Sequence, residues 1–268
     1  MNVIGIDSGS STVKLIQVDL NGKILHKLIL NKMPIKKAIE IFINRQRIIK
    51  CDVDKIVITG VGQDEVGGEI YGIPIIKVDE FIAIGTGGLY LANKKKALVV
   101  SIGTGTAFVE AKNKVFTHLE GTGVGGGTLL NLCKKVGKVN SFKEINEALS
   151  KGDLKNIDLT IQDVATKEIE SLPKDTTSSN FGKLSEDASN NDMMLGIANM
   201  IFETIGMMAV FATQNKKDRN IIVIGNVATM PYINIVLNRI EKLHKGIKFI
   251  IPKYAEFGTA IGAIEATK

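Results

Sequence analysis

The chain has 268 residues, 44% hydrophobic and 23% charged, with a formal net charge of +6. That is ordinary for a soluble globular enzyme of one large domain or two modest ones, and with no Trp its core must be filled by Ile, Val, Leu and Met. The lysines are scattered, as at Lys36-Lys37, Lys94 to Lys96 and Lys216-Lys217, with no aromatics between them, so the charge reads as solvated surface and not as a nucleic-acid face.

In chain order, Val3 to Ile6 is a buried-strand run, followed by a tight polar turn from Asp7 through Ser8, Gly9, Ser10 and Ser11 to Thr12. Val13 to Leu20 alternates as a second strand, Asn21-Gly22 signals a hairpin, and Lys23 to Leu30 is the third strand. Pro34 opens a helix running to Ile49, and Lys55 to Thr59 is a strand ending in Gly60-Val61-Gly62. Glu65 to Tyr71 is expected as a short helix, Pro74 to Val78 as a strand, and Glu80 to Asn93 as a helix despite three glycines. Beyond the middle of the chain, Ser141 to Lys151 and Thr160 to Ser171 read as amphipathic helices. Pro173 to Asn180 reads as a polar, mobile loop, and Asn191 to Asn215 as a long helix. Asn220 to Ile224 is a strand ending at Gly225-Asn226, Met230 to Leu243 a helix, Lys248 to Ile251 a strand, and Phe257 to Thr267 a closing helix.

The stretch from Leu98 to Leu130 organises the rest. An apolar run leads into the small-residue turn Gly103, Thr104, Gly105 and Thr106, and a second strand covers Ala107 to Ala111. After a charged turn come Gly121, Thr122, Gly123, Gly125, Gly126 and Gly127, leading into Thr128-Leu129-Leu130. Glycine allows close approach of a ligand, and a glycine run that opens a helix aims N–H groups and a positive dipole end at an anion. Two such devices so close together point to one polyphosphate gripped at two places. Gly121-x-Gly123-x-x-Gly126 has the form of a dinucleotide fingerprint, but no acid ends a strand about 20 residues further on. No GxxxxGK[ST] occurs, which excludes a P-loop enzyme.

Cys51 and Cys133 are far apart with no CxxC, which reads as a reduced, cytoplasmic protein. The chain starts directly on a strand pattern without a signal segment. Its most apolar long segment, Met193 to Ala212, carries Asn199, Glu203 and Thr204, as a buried helix does and a membrane span rarely does. The strand–turn–strand plan beginning at Ile4 recurs at Val100, so the chain reads as duplicated: two α/β lobes with a ligand cleft between them. The lobes are expected at 1–97 and 98–268, the second with a helical insertion around 140–190.

This layout resembles the actin, Hsp70 and sugar-kinase superfamily, a duplicated ribonuclease-H-like α/β fold with a nucleotide cleft between lobes. IGIDSGSSTVKL resembles its first phosphate loop, VVSIGTGTAFV its second, and IIVIGNVATMP its adenosine loop. Within that superfamily the chain resembles type II pantothenate kinases. The resemblance is carried by IGIDSGSSTVKL, by VDEF at 78–81, by SIGTGTAF followed by EGTGVGGGTLLNLC, by FGTAIGAIEA at 257–266 and, more weakly, by SSNFG at 178–182. These segments keep the family's order across nearly the full length. The resemblance implies a small-molecule kinase using ATP and Mg²⁺, a homodimer with no nucleic-acid or membrane partner, in coenzyme A biosynthesis. The rival acceptors are pantetheine and an N-acetylated sugar. Two same-fold rivals are an ATP-driven activator of a 2-hydroxyacyl-CoA dehydratase, which needs cysteines near the glycine run, and a non-catalytic nucleotide-binding regulator.

Read from its position, Asp7 is either a turn cap or a carboxylate holding Mg²⁺ through water. Lys14 either neutralises phosphate or is an exposed strand lysine. Glu80 and Asp79 compete as carboxylates at a helix start. The resemblance makes Glu80 the general base and places Thr104, His118 and Phe181 with the acceptor. It gives phosphate and nucleotide to Ser8 through Thr12, the two glycine segments, Gly225 and Asn226. The family carries an Arg where this chain has His118. The methionines of the long helix read as core, and its Gly196, Gly206, Ala209 and Ala212 either receive a partner helix or pack within one subunit.

Overall fold

The computed structural model describes residues 2–165, 173–216 and 219–268. Its first sheet is built from β1 (Asn2–Ser8), β2 (Thr12–Val18), β3 (Ile24–Asn31), β4 (Val53–Thr59), β5 (Glu69–Ile70) and β6 (Ile73–Lys77), in the order β3-β2-β1-β4-β6-β5. The second contains β7 (Lys96–Ile102), β8 (Thr106–Lys112), β9 (Val115–Thr122), β12 (Arg219–Ile224) and β13 (Ile247–Ile250), in the order β13-β12-β7-β8-β9. A small ribbon pairs β10 (Leu159–Thr160) with β11 (Thr177–Ser179). Each large sheet starts with an antiparallel three-strand meander and then adds parallel strands beside its first strand. The duplication expected from a short repeat is therefore present in the topology of both halves.

The helices are α1 (Ile35–Gln46), α2 (Glu80–Leu91), α3 (Gly126–Gly137), α4 (Phe142–Leu149), α5 (Ile161–Val164), α6 (Asn190–Ala212), α7 (Pro231–Leu243) and α8 (Gly258–Glu265). In α1 the buried residues Ile35, Ala38, Ile39, Phe42 and Ile43 fall on one helical stripe, which packs on Ile4, Ile6, Val13 and Leu15. This helix stops short of Ile49 because Arg47 turns left-handed at φ 52°.

The helices α2 and α8 hold equivalent places, each following the last strand of its half, and each packs on the other half's sheet. Ile84 of α2 joins the core of the second sheet, while Ala260, Ile261 and Ile264 of α8 cover Ile16 and Val57 of the first. They cross at Gly87 and Gly262. A Cβ at Gly262 would meet the backbone oxygen of Ala83 and the backbone nitrogen of Gly87, so the crossing requires glycine at that place. The glycines that looked unfavourable for a helix are thus what joins the halves. Gly85 makes room for Phe116, and Gly88 for Val99.

Several expectations fail locally. Glu65 to Tyr71 is not a helix: a single 3₁₀ turn at Gln63–Glu65 is followed by β5, and Tyr71 (φ 55°) and Gly72 (φ 78°) form the two-residue turn into β6. The helix expected from Thr160 is one turn ending at Val164, with Ala165 extended; residues 166–171 of that segment lie outside the described residues, as does Lys217. The polar segment Pro173 to Asn180 contains β11, pinned where Glu203 of α6 accepts from Thr177 at 2.8 Å and from Asn180 at 3.0 Å. Strand β9 follows the left-handed turn Asn113-Lys114 and was not anticipated. Its edge position leaves five of its eight residues exposed and none buried, which hides the period-two alternation.

Helix α6 is long and apolar enough to span a membrane by length and composition, but most of it is buried against α3, α4 and α7. Its small residues receive side chains of this same chain: Ile157 and Phe181 fill the notch at Gly196, and Leu237 and Ile240 that at Gly206. Of its methionines only Met194 is fully buried; Met193, Met200, Met207 and Met208 are half-buried.

Candidate active site

The first turn joins two strands whose register places Asp7 directly opposite Lys14. Both residues are buried at 6% exposure, and Lys14 Nζ donates to Asp7 Oδ2 at 3.0 Å. Lys14 is therefore not an exposed strand lysine, and Asp7 is not a simple turn cap. Gly9, Ser10, Ser11 and Thr12 line the cleft beside them. Ser8 does not: it is fully buried on the other face of β1, where its hydroxyl accepts from Lys32 Nζ at 3.1 Å.

The second turn faces the first. Ser11 Oγ and Thr104 Oγ1 share a hydrogen bond of 2.8 Å across the cleft. Gly103, Thr104, Gly105 and Thr106 all line it, with Gly121, Thr122, Gly126 and Gly127. The glycine run, however, does not offer a row of free N–H donors. Gly126 N–H donates to Gly103 O at 2.8 Å, Gly127 N–H to Thr104 O at 2.9 Å, and Gly125 N–H to Thr128 Oγ1 at 3.3 Å. A Cβ on Gly125 would lie 2.7 Å from the backbone of Gly105, and one on Gly126 2.7 Å from Gly103 O. The run is a seam that fastens the start of α3 to the second turn, while leaving the positive end of that helix directed at the cleft. Gly123 has open space at its Cβ and does not line the cleft.

Asp79 and Glu80, the two carboxylates at the start of α2, occupy different places. Asp79 is the N-cap of α2, its carboxylate accepting from Phe81 N–H at 2.9 Å and Ile82 N–H at 3.1 Å. Glu80 is half-buried and turned into the cleft. Burial pushes its carboxyl up from the ordinary value, helped by the charges of Asp7 and Asp79 and opposed by Lys14.

The cleft has a volume of about 540 Å³. Asp7, Lys14 and Glu80 are the charged residues along it, so hydroxyls and backbone make most of its polar lining. It extends from Ile29, Asn31 and Val61 on the first half, past Ile84 and Thr259 of the crossing helices, to Leu130, Asn140, Ser141, Phe142, Asn226 and Val227 on the second. Sequence reasoning found Asn226 but missed Asn140 to Phe142. The signal was present: Ser141 caps α4 by accepting from Glu144 N–H at 3.3 Å, in the S-x-x-E form. Gly225 stands behind the lining. Its φ of 104° and a Cβ position 2.3 Å from Ile102 O make it the glycine that lets β12 end against β7.

Two expected acceptor residues stand outside the cleft lining. Phe181, at φ 58°, donates its N–H to Asp158 at 2.9 Å and fills the Gly196 notch of α6. His118 is exposed on β9 and stacks on Phe81, next to Glu80, with ring centroids 4.0 Å apart. Among the described residues no group of three or more His, Cys, Asp and Glu side chains is placed to hold a metal ion. Cys133 is buried in α3, and burial pushes its thiol up to about 12.

The chain matches the Fumble family model over residues 93–264. It is similar to the type II pantothenate kinase of Oceanobacillus iheyensis, 28% identical over 93% of this chain and 94% of that protein. With the type II pantothenate kinase of Bacillus cereus strain AH820 it shares 26% identity over 99% of this chain and 96% of the relative. Among solved structures, the activator of the 2-hydroxyisocaproyl-CoA dehydratase from Clostridium difficile with bound ADPNP superposes with a TM-score of 0.70 at 17% identity, covering 100% of this chain and 96% of the other. A ROK family glucokinase from Streptomyces griseus in complex with glucose and AMPPNP gives 0.61 at 13% identity, covering 99% and 98%. These likenesses carry the two-lobe ATPase fold, and the match across most of the chain's second half and crossing helix carries the descent: the chain belongs to the Fumble family.

Proposed function

We propose that this chain is an ATP-dependent kinase that phosphorylates pantothenate to 4'-phosphopantothenate, the first step of coenzyme A biosynthesis. The observation that carries the reading is the meeting of Glu80 with both hydroxyl-rich turns in one cleft, in a chain similar end to end to type II pantothenate kinases. Phosphoryl transfer needs positioning and charge neutralisation more than covalent chemistry. The two turns would hold the β- and γ-phosphates, taking the place of the Ser11–Thr104 bridge, with the dipole of α3 behind them. The Val227 and Phe142 end would take the nucleoside. Glu80 would accept the proton of the acceptor's primary hydroxyl, and its raised carboxyl suits a base that must take a proton and release it.

Mg²⁺ belongs to this proposal. One carboxylate among hydroxyls, with one oxygen already given to Lys14, fits an ion that keeps several waters and is held mainly by substrate phosphates. Asp7 would hold it through water, and the ion would neutralise charge developing between the β- and γ-oxygens. A cytoplasmic homodimer is also carried forward, supported by Phe211 at 65% exposure beside half-buried Met207 and Met208 on α6.

The activator reading is weaker here in spite of the fold likeness. Leu119 and Glu120 precede the glycine run where that reading needs a cysteine, and Cys133 is buried. A coupled ADP-release screen over pantothenate, pantetheine and amino sugars tests the assignment. Acceleration by pantothenate is the expected result; turnover that none of them accelerates would sink it.

A further inference from the structure

Thr59 ends β4 and is fully buried, yet its Oγ1 has no hydrogen-bond partner. Its register partner on β1 is Asp7. Side chains alternate along β4: Ile56 and Ile58 enter the core under α1, and Val57 enters the core under α8. Thr59 therefore shares the α8 side with Asp7, whose neighbour two residues back, Gly5, abuts Ala260 and Ile264 of α8. Lys14, Asp7 and Thr59 thus form one row across the ends of β2, β1 and β4. Asp7 Oδ2 accepts from Lys14 Nζ, and Asp7 Oδ1 has no hydrogen-bond partner among the described residues. A buried hydroxyl left unpaired is a standing cost that valine, of the same shape, would not carry. An orphan of this kind beside a working carboxylate calls for an explanation.

We propose that Thr59 is a positioning residue for Asp7. Its hydroxyl is kept unpaired so that it can turn about χ1 and donate to Asp7 Oδ1 when incoming phosphate competes for Lys14. Asp7 then keeps a fixed donor while its partner lysine is drawn toward the nucleotide. The charged groups around that exchange are Lys14 on β2, Asp7 on β1, and Asp79 and Glu80 at the start of α2; α8 turns Ala260 and Ile264 toward this face. The proposal rests on the kinase reading above.

The test uses the full chain with Thr59→Val and Thr59→Ser, reading ADP release with and without pantothenate, the melting midpoint without ligand, and binding of a non-hydrolysable ATP analogue. Thr59→Val should melt at or above the wild-type temperature and bind the analogue within about twofold, while kcat falls about tenfold, the worth of one hydrogen bond. Thr59→Ser, which keeps the hydroxyl, should restore most of kcat. Wild-type kcat in Thr59→Val would overturn the proposal. So would a loss in Thr59→Ser as large as in Thr59→Val, or a fall in melting midpoint that accompanies the loss of turnover. If pantothenate failed to accelerate wild-type ADP release, the kinase reading would fall, and the Thr59 effect would still be read on the basal rate.

Discussion

The turn after β1 and the turn after β7 occupy equivalent places in two sheets of the same strand order, and they meet at the Ser11–Thr104 hydrogen bond. They differ in charge. The first sets Asp7 opposite Lys14, a buried ion pair. The second replaces carboxylate with Gly103, and its strands pair Val100 with Phe108 and Ser101 with Ala107. What the second has instead is the seam to α3, through Gly126 and Gly127. The difference supports a proposed division of labour: one copy of the plan would hold the charges for chemistry, and the other would be a braced backbone that grips phosphate. The carboxylate proposed as base, Glu80, comes from the helix of the first half that lies on the second sheet, so the crossing brings it to both turns.

The strongest way to break this comparison is Glu80→Gln. Loss of a general base is worth about 10² to 10⁴ in rate, and kcat should fall within that range with nucleotide binding intact. The folded carboxyl is raised above its ordinary 4.5, so its contribution to stability is present below that pH and is lost as pH rises through the folded value. At neutral pH the ionised Glu80 therefore opposes folding, and Glu80→Gln should melt no lower than wild type. For the same reason kcat should fall on the acid side at a higher pH than for an ordinary glutamate. Asp79→Asn should keep most activity, since asparagine also caps.

Next is Asp7→Asn, which leaves Lys14 buried with no carboxylate. Breaking a buried pair costs about 3–5 kcal/mol, a loss that denaturant melts would register. Asp7→Asn with Lys14→Met should recover much of that stability and none of the turnover, which separates fold from chemistry in the first turn.

The second turn is sharpened by two alanines. Gly126→Ala would press on Val227 Cγ2 at 2.6 Å and Gly103 O at 2.7 Å, and overpacking of that kind costs about 1–3 kcal/mol. Its main kinetic effect should be a raised KM for ATP. Gly123→Ala meets nothing within 4 Å and should leave melting midpoint and KM unchanged. Equal effects would dissolve the seam.

The smallest effect is expected outside both turns. His118 is exposed on Phe81, and His118→Arg should improve kcat/KM for pantothenate over pantetheine by a few-fold, the worth of a solvent-screened charge pair of up to about 1 kcal/mol. An unchanged ratio would remove His118 from specificity.

Much of this was legible because its signals are local. Asn21-Gly22 marked a hairpin, and Asp19 does close that turn by accepting from Asn21 and Lys23 N–H. The repeated turns located the cleft residues Asp7 and Thr104, and the family resemblance carried by VDEF at 78–81 singled out Glu80. What escaped depends on partners distant in sequence. The exchange of α2 and α8 between sheets rests on Gly87 meeting residues 258 and 262. The glycine run's N–H groups looked free because their acceptors, Gly103 and Thr104, lie over twenty residues away. Phe181 looked like an acceptor residue, and within this chain it fills a notch on α6.

The division of labour is tested most directly by one paired measurement on Glu80→Gln: transfer of labelled γ-phosphate from ATP to pantothenate, with calorimetric binding of an ATP analogue on the same preparation. The account predicts transfer reduced at least about 100-fold and binding changed by less than about twofold. Transfer near the wild-type rate, or binding lost together with transfer, would contradict it.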